Sequence, residues 1–120
     1  MTVKEFKNLA LTFPGTEEKP HFDRTAFKVI GKRIFATLHE ASESANIVLP
    51  IKDKEVFSAM NKGIYPVPNK WGTHGWTTFE LIKITYAMAL DALDTAHKEV
   101  LRSKTRKSKF RNYQGLFNLF

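Results

Sequence analysis

The chain has 120 residues, of which 42% are hydrophobic and 26% charged, with a formal net charge of +7 and no cysteine. That length suits one domain whose folding buries roughly two-thirds of the unfolded surface, and the balance excludes a wholly disordered chain or a fibrous repeat. Without cysteine there is no disulfide framework, thiolate metal site or cysteine nucleophile. The opening residues Met1 to Lys7 carry charges where a signal peptide needs its apolar stretch, and no uncharged run approaches the length that spans a bilayer. A cytoplasmic protein without a membrane segment is the expectation.

The first helix is announced by Thr2 and Glu5 at capping-box spacing, followed by Val3, Phe6, Ala10 and Phe13 at helical intervals until Pro14-Gly15 stops the pattern. A polar connection follows through Glu17, Glu18, Lys19 and Pro20. Residues Thr25 to Ile30 then alternate as a half-buried strand, Gly31-Lys32 supplies a turn, and Arg33 to Leu38 with Ala45 to Leu49 complete a three-stranded meander. Asp53 is placed to cap a short helix carrying Val56, Phe57 and Met60 on one side and ended by Gly63. The stretch Ile64 to Pro68 is extended, but its two prolines cannot donate to a ladder, so a strand there is short or at an edge. Gly75 to Leu81 is a fuller strand. Thr85 caps the longest helix, whose stripe is Tyr86, Ala89, Leu90, Leu93, Ala96, His97 and Val100, with Asp94 and Lys98 paired on its wet side.

Charge divides the chain in two. Residues 1–102 hold fourteen Lys and Arg against all twelve acids, a net of +2. Residues 103–120 hold Lys104, Arg106, Lys107, Lys109 and Arg111 with no acid, a basic C-terminal extension that draws polyanions by counterion release rather than by fixed geometry. The chain closes on Leu116-Phe117-Asn118-Leu119-Phe120. An exposed apolar end is a liability, so Phe117 and Phe120 are expected to dock on the folded domain, on a second copy or on another protein.

Three segments carry a family likeness: Phe13-Pro14-Gly15-Thr16-Glu17-Glu18, then His21-Phe22-Asp23-Arg24-Thr25-Ala26-Phe27-Lys28-Val29 with Gly31-Lys32, and Lys70-Trp71-Gly72-Thr73-His74-Gly75-Trp76. With the helices around them, residues 1–102 resemble the MmcQ/YjbR family of small bacterial proteins. The resemblance implies a two-layer α+β fold, an antiparallel sheet covered by helices in the order α-β3-α-β2-α, which periodicity reaches by itself. It also implies a double-wing DNA-binding role. It offers no catalytic residue to carry over, and the basic extension lies outside the shared pattern.

Few residues suggest chemistry. No two of His21, His39, His74 and His97 stand at a spacing that places both on one face as metal ligands, and His97 falls on an apolar stripe as a hydrogen-bonded core residue would. His21, Asp23 and Arg24 could form a small polar site before the first strand, or simply a connection held by local hydrogen bonds. The indoles of Trp71 and Trp76 bracket His74 beside Lys70 and Lys62, the composition of a surface that stacks on bases and meets phosphates, and equally of a loop clamped to a sheet. Phosphate loops, dinucleotide fingerprints, nucleophile elbows and zinc spacings do not occur, and no cofactor is expected.

The sequence therefore points to a DNA-binding or regulatory accessory protein. One wing would lie at Lys28, Lys32 and Arg33, a second at Lys62, Lys70, Trp71, His74 and Trp76, and the basic extension would serve as an arm. The rival reading is a protein-interaction or small-ligand module built on the Trp71 to Trp76 loop.

Overall fold

A computed structural model describes residues 1–103. Helix α1 (Val3–Leu11) leads into four strands, β1 (Thr16–His21), β2 (Arg24–Val29), β3 (Ile34–His39) and β4 (Ser44–Val48). Helix α2 (Ile51–Met60), strand β5 (Ile64–Pro66), the short helix α3 (Lys70–Thr73), strand β6 (Trp76–Glu80), a 3-10 turn (Leu81–Lys83) and helix α4 (Tyr86–Arg102) follow. The strands form one antiparallel six-stranded sheet in the order β1-β2-β3-β4-β6-β5. This is an α+β fold with two elements more than the order α-β3-α-β2-α.

The first addition is β1, which the sequence presents as a polar connection. An edge strand has one neighbour and a wet flank, so it needs no alternation of apolar residues. Its six residues pair in full with β2, from Thr16↔Val29 to His21↔Arg24. Glu17, Glu18, Lys19 and Pro20 keep its outer rim from recruiting another chain. The second addition is α3, a single turn too short to show a period. Asn69 Oδ1 caps it by accepting from the Trp71 amide at 2.9 Å.

Elsewhere the caps stand largely as expected. Thr2 and Glu5 form the reciprocal capping box of α1, and Thr85 Oγ1 accepts from the Met88 amide at 3.1 Å to open α4. Helix α2 departs from expectation. Pro50 occupies its N-cap with no side-chain bond, Asp53 sits inside the first turn, and Phe57 is its buried residue while Val56 and Met60 are exposed. Gly63 does not cap this helix either; a Cβ there would stand 2.7 Å from Lys83 Cβ, so it is a close-approach glycine. In α4 the buried stripe is Ala89, Ala92, Leu93, Ala96, His97 and Val100, whereas Tyr86 and Leu90 lie exposed beside it. Asp94 and Lys98 pair at 2.9 Å.

Register assigns the two faces of the sheet. Phe27↔Ala36, Ala36↔Ile47 and Ile47↔Thr77 make one cross-strand row, and Leu38↔Ala45, Ala45↔Phe79 and Phe79↔Ile64 make the next, both on the face that meets the helices. Phe27 lies 6.1 Å from Phe6 of α1, and Phe79 lies 6.1 Å from Phe57 of α2. The register slips between Phe27 and Lys28, leaving Phe35 without a partner residue, and its ring meets His97 of α4 at 5.5 Å. His97 Nε2 donates to Pro14 O at 2.8 Å, tying α4 to the end of α1. The opposite face carries the row Ala26↔Thr37, Thr37↔Asn46, Asn46↔Thr78 and Thr78↔Tyr65, in which Thr78 Oγ1 donates to Asn46 Oδ1 at 2.8 Å.

Phe79 is fully buried at the junction of α2 and β6. Phe79→Ala is expected to cost about 3–5 kcal/mol, read from denaturant midpoints. Two glycines with left-handed backbones separate strain from crowding. Gly31 (φ +80°) has open space where a Cβ would go, whereas at Gly75 (φ +98°) a Cβ would lie 2.1 Å from Leu49 O. Gly31→Ala should lose only about 1–2 kcal/mol of backbone preference, and Gly75→Ala should lose clearly more, because its Cβ must also displace the backbone at Leu49 O. Equal melting temperatures for the two variants would refute this assignment.

Candidate functional site

The antiparallel registers put the ends of β2, β4 and β5 and the beginnings of β3 and β6 at one end of the sheet. The β2–β3 turn, with Lys32 and Arg33, and the α3 connection, with Lys70, Trp71 and His74, therefore share that end. In the strand order the two lie three spacings apart, about 14 Å. Lys32 Nζ donates to Ser103 O at 2.6 Å, which brings the C-terminal end of α4 to the same place. The last described residue, Ser103, thus lies beside Lys32, and the basic run follows it in sequence. Arg33, Lys70 and His74 are exposed. Lys70 Nζ sits 5.6 Å over the Trp71 ring, whose centroid is 6.3 Å from that of His74.

Two residues grouped with these from the sequence stand apart. Lys62 precedes β5 and so lies at the opposite end of the sheet. Lys28 is half-buried within β2, directly across from Glu17 of β1, whose carboxylate pairs with Lys19 at 3.6 Å.

The two tryptophans also differ. Trp76 is 5% exposed and belongs to the apolar core, while Trp71 packs against that core partly buried. The loop between them is tightly held. Lys54 Nζ donates to Gly72 O at 3.0 Å, and a Cβ on Gly72 would lie 2.1 Å from Val67 O. Trp71, with Lys70 over it, is the indole that keeps an accessible surface.

The other end of the sheet gathers the second group. The β1–β2 hairpin turns through Phe22 and Asp23, with Phe22 76% exposed at φ +59°. Asp23 makes no hydrogen bond or ion pair with His21 or Arg24, although its charge acts on Arg24. Its Oδ2 lies 3.0 Å from His39 Nε2, and His39 Nδ1 accepts from the Ser42 amide at 3.2 Å and lies 2.7 Å from Ser42 Oγ. Ser42 Oγ in turn lies 2.7 Å from Ser44 Oγ. Arg24 turns over the sheet and donates to Thr37 Oγ1 at 3.2 Å. Burial lowers its guanidinium pKa, opposed by the charge of Asp23. His21 is buried and meets the Phe22 ring at 5.2 Å. Sequence reasoning found three of these residues but missed His39, Ser42, Ser44 and Thr37. Once β1 is read as a strand, the direct pairing of His21 with Arg24 would bring them in.

Glu80, at that same end, accepts from Lys83 and from Tyr65, and these two bonds hold its carboxyl below the usual range. Tyr65 is raised by burial and then by Glu80.

Among the described residues no group of three or more His, Asp or Glu is placed to hold a metal ion, and no helix is long and apolar enough to cross a membrane. Lys104, Arg106, Lys107, Lys109 and Arg111, and the expected docking of Phe117 and Phe120, lie outside the described residues. Comparison of the chain with family models, with curated proteins and with solved structures finds no match.

Proposed function

We propose that this chain is a nucleic-acid-binding accessory protein of the cytoplasm, with duplex DNA as its partner. The observation that carries the reading is the Lys32 to Ser103 hydrogen bond, because it starts the +5 extension at the end of the sheet that already displays Arg33 and Lys70. Fixed cations on two connections would set the protein's position on a phosphate backbone, and the extension would add affinity without choosing sequence. The accessible part of Trp71 is available for stacking beside Lys70. The double-wing arrangement implied by the MmcQ/YjbR resemblance is compatible with this end, with the β2–β3 turn and the α3 connection as the wings. A ligand module on the Trp71 to Trp76 loop has less support, since Trp76 is spent on the core.

Titration with a generic duplex at several salt concentrations tests the proposal. The full chain should show a steep fall of log affinity with log salt, and truncation after Ser103, which leaves every described core residue in place, should flatten that slope by about four to five. An unchanged slope would remove the arm from the account. In the full chain, Arg33→Glu combined with Lys70→Glu should weaken binding by about tenfold or more, as expected when several phosphate contacts become repulsions. Lys62→Glu, at the far end, should change it far less. The reverse ranking would show that the contact surface lies elsewhere.

A further inference from the structure

Asp23, His39 and Ser42 come from three places in the chain, the β1–β2 turn, the end of β3 and the β3–β4 turn, and the sheet brings them into one hydrogen-bonded line. Asp23 Oδ2 lies 3.0 Å from His39 Nε2, and His39 Nδ1 lies 2.7 Å from Ser42 Oγ. An ionised carboxylate only accepts, so Asp23 keeps the ring proton on Nε2. The lone pair of Nδ1 then faces the Ser42 hydroxyl, which donates to it. The Ser42 amide also donates to Nδ1, at the longer distance of 3.2 Å, and holds the ring against the turn. With its own proton given to His39, Ser42 Oγ accepts from Ser44 Oγ at 2.7 Å, a buried donor that stabilises negative charge developing on the oxygen. A hydroxyl within reach of a base that a third group orients is the arrangement of an activated nucleophile. A local turn accounts for Ser42 on His39, but not for an acid sixteen residues away on the far ring nitrogen. Ser42 is exposed, so a reacting group can approach it.

We propose that Ser42 is a nucleophile, with His39 as its general base and Asp23 as the residue that positions the ring, and that it attacks small uncharged carboxylic esters with a stable leaving group. Glu40 and Glu43 stand exposed on either side of Ser42 and disfavour acyl donors that carry phosphate or carboxylate. Because Ser42 sits on an exposed turn, water is not excluded from the developing oxyanion, and the leaving group must be stable without help, as an aryl oxide is. Ser42 Oγ bonds to the carbonyl carbon as its proton passes to His39 Nδ1. The carbon–oxygen bond to the leaving group then breaks, and the leaving oxygen takes that proton. Water attacks the acyl-Ser42 ester, giving a proton to His39, which returns it to Ser42 Oγ as the carboxylic acid departs. This site lies at the end of the sheet away from Lys32, Arg33 and Lys70 and does not rest on the nucleic-acid reading.

The test treats the full-length chain with p-nitrophenyl acetate and follows serine acetylation, residue by residue, by peptide mass spectrometry. Ser42 should acetylate clearly faster than Ser103 and Ser108 of the same molecules. His39→Gln should slow acetylation of Ser42 by about a hundredfold or more and leave that of the other two serines unchanged. For Asp23 the readout is the ring nitrogen shifts of His39. These should show the proton on Nε2 in the unaltered chain and a share of it on Nδ1 in Asp23→Asn, with slower acetylation of Ser42, and Asp23→Glu should restore both in part. Acetylation of Ser42 no faster than of Ser103, an unchanged rate in a folded His39→Gln variant, or a ring protonated on Nδ1 in the unaltered chain would overturn the proposal. The serines are compared within one molecule, so the first comparison decides even where a variant fails to fold. Duplex titration reads the other end of the sheet, so either proposal can fail while the other stands.

Discussion

The fold depends on three helices packing against one face of the sheet through phenylalanine. Phe27, Phe35 and Phe79 come from different strands and meet Phe6 of α1, His97 of α4 and Phe57 of α2 respectively. The phenylalanine rings of the strands therefore gather on that side, although the middle strands are buried on both faces. The opposite face mixes buried apolar residues, Ala26, Val48 and Trp76, with the short polar row of Thr37, Asn46 and Thr78. A slip of one residue would carry Asn46 and Thr78 to the face that meets the helices, so the register is strongly fixed. The single irregularity between β2 and β3 serves the packing, since it delivers Phe35 to α4.

Much of this was legible because it is periodic. The 3.6-residue stripe of α4 follows from burial on one side, the capping box of α1 from reciprocal bonds three residues apart, and the apolar runs of β2 to β4 from strand burial, all of which leave local marks in sequence. What was not legible has the opposite character. Strand β1 buries little, so Glu17, Glu18 and Lys19 read as a loop although their backbones pair in full with β2. Asp53 looked like a cap on residue type, but the helix begins two residues earlier behind Pro50, whose fixed φ suits an entry that needs no side-chain bond. Gly63 looked like a terminator and answers instead to the close passage of Lys83, a contact between residues twenty apart that local pattern cannot contain.

The candidate sites were legible in kind and less so in arrangement. Basic residues could be counted from the chain, but which of them share an end depends on strand direction and order. That is why Lys62 parts from Lys70, and why Lys28 lies half-buried within the sheet instead of on the turn. Similarly, His21, Asp23 and Arg24 are neighbours in sequence yet are sorted by the hairpin into two different bonding partnerships. Composition could also not distinguish the two indoles. Trp76 lies within β6 and turns into the core, whereas Trp71 sits on a one-turn helix at the rim.

Strand length keeps the two candidate sites separate. Strands of five or six residues run about 17–20 Å, roughly two Debye lengths at physiological salt, so charge at one end of the sheet is largely screened from the other. The basic end has exposed cations and a charged extension leading from it, an arrangement whose affinity falls with salt. The hairpin end has one half-buried guanidinium, one buried imidazole and a hydrogen-bonded chain from Asp23 to Ser42 that acts over bond lengths, where salt matters less. The contrast arises from the turns themselves. The β2–β3 connection passes through a glycine in open space and leaves Arg33 exposed with Lys32 held by Ser103 O, while the β1–β2 hairpin turns through two residues and leaves His21 buried and Arg24 half-buried.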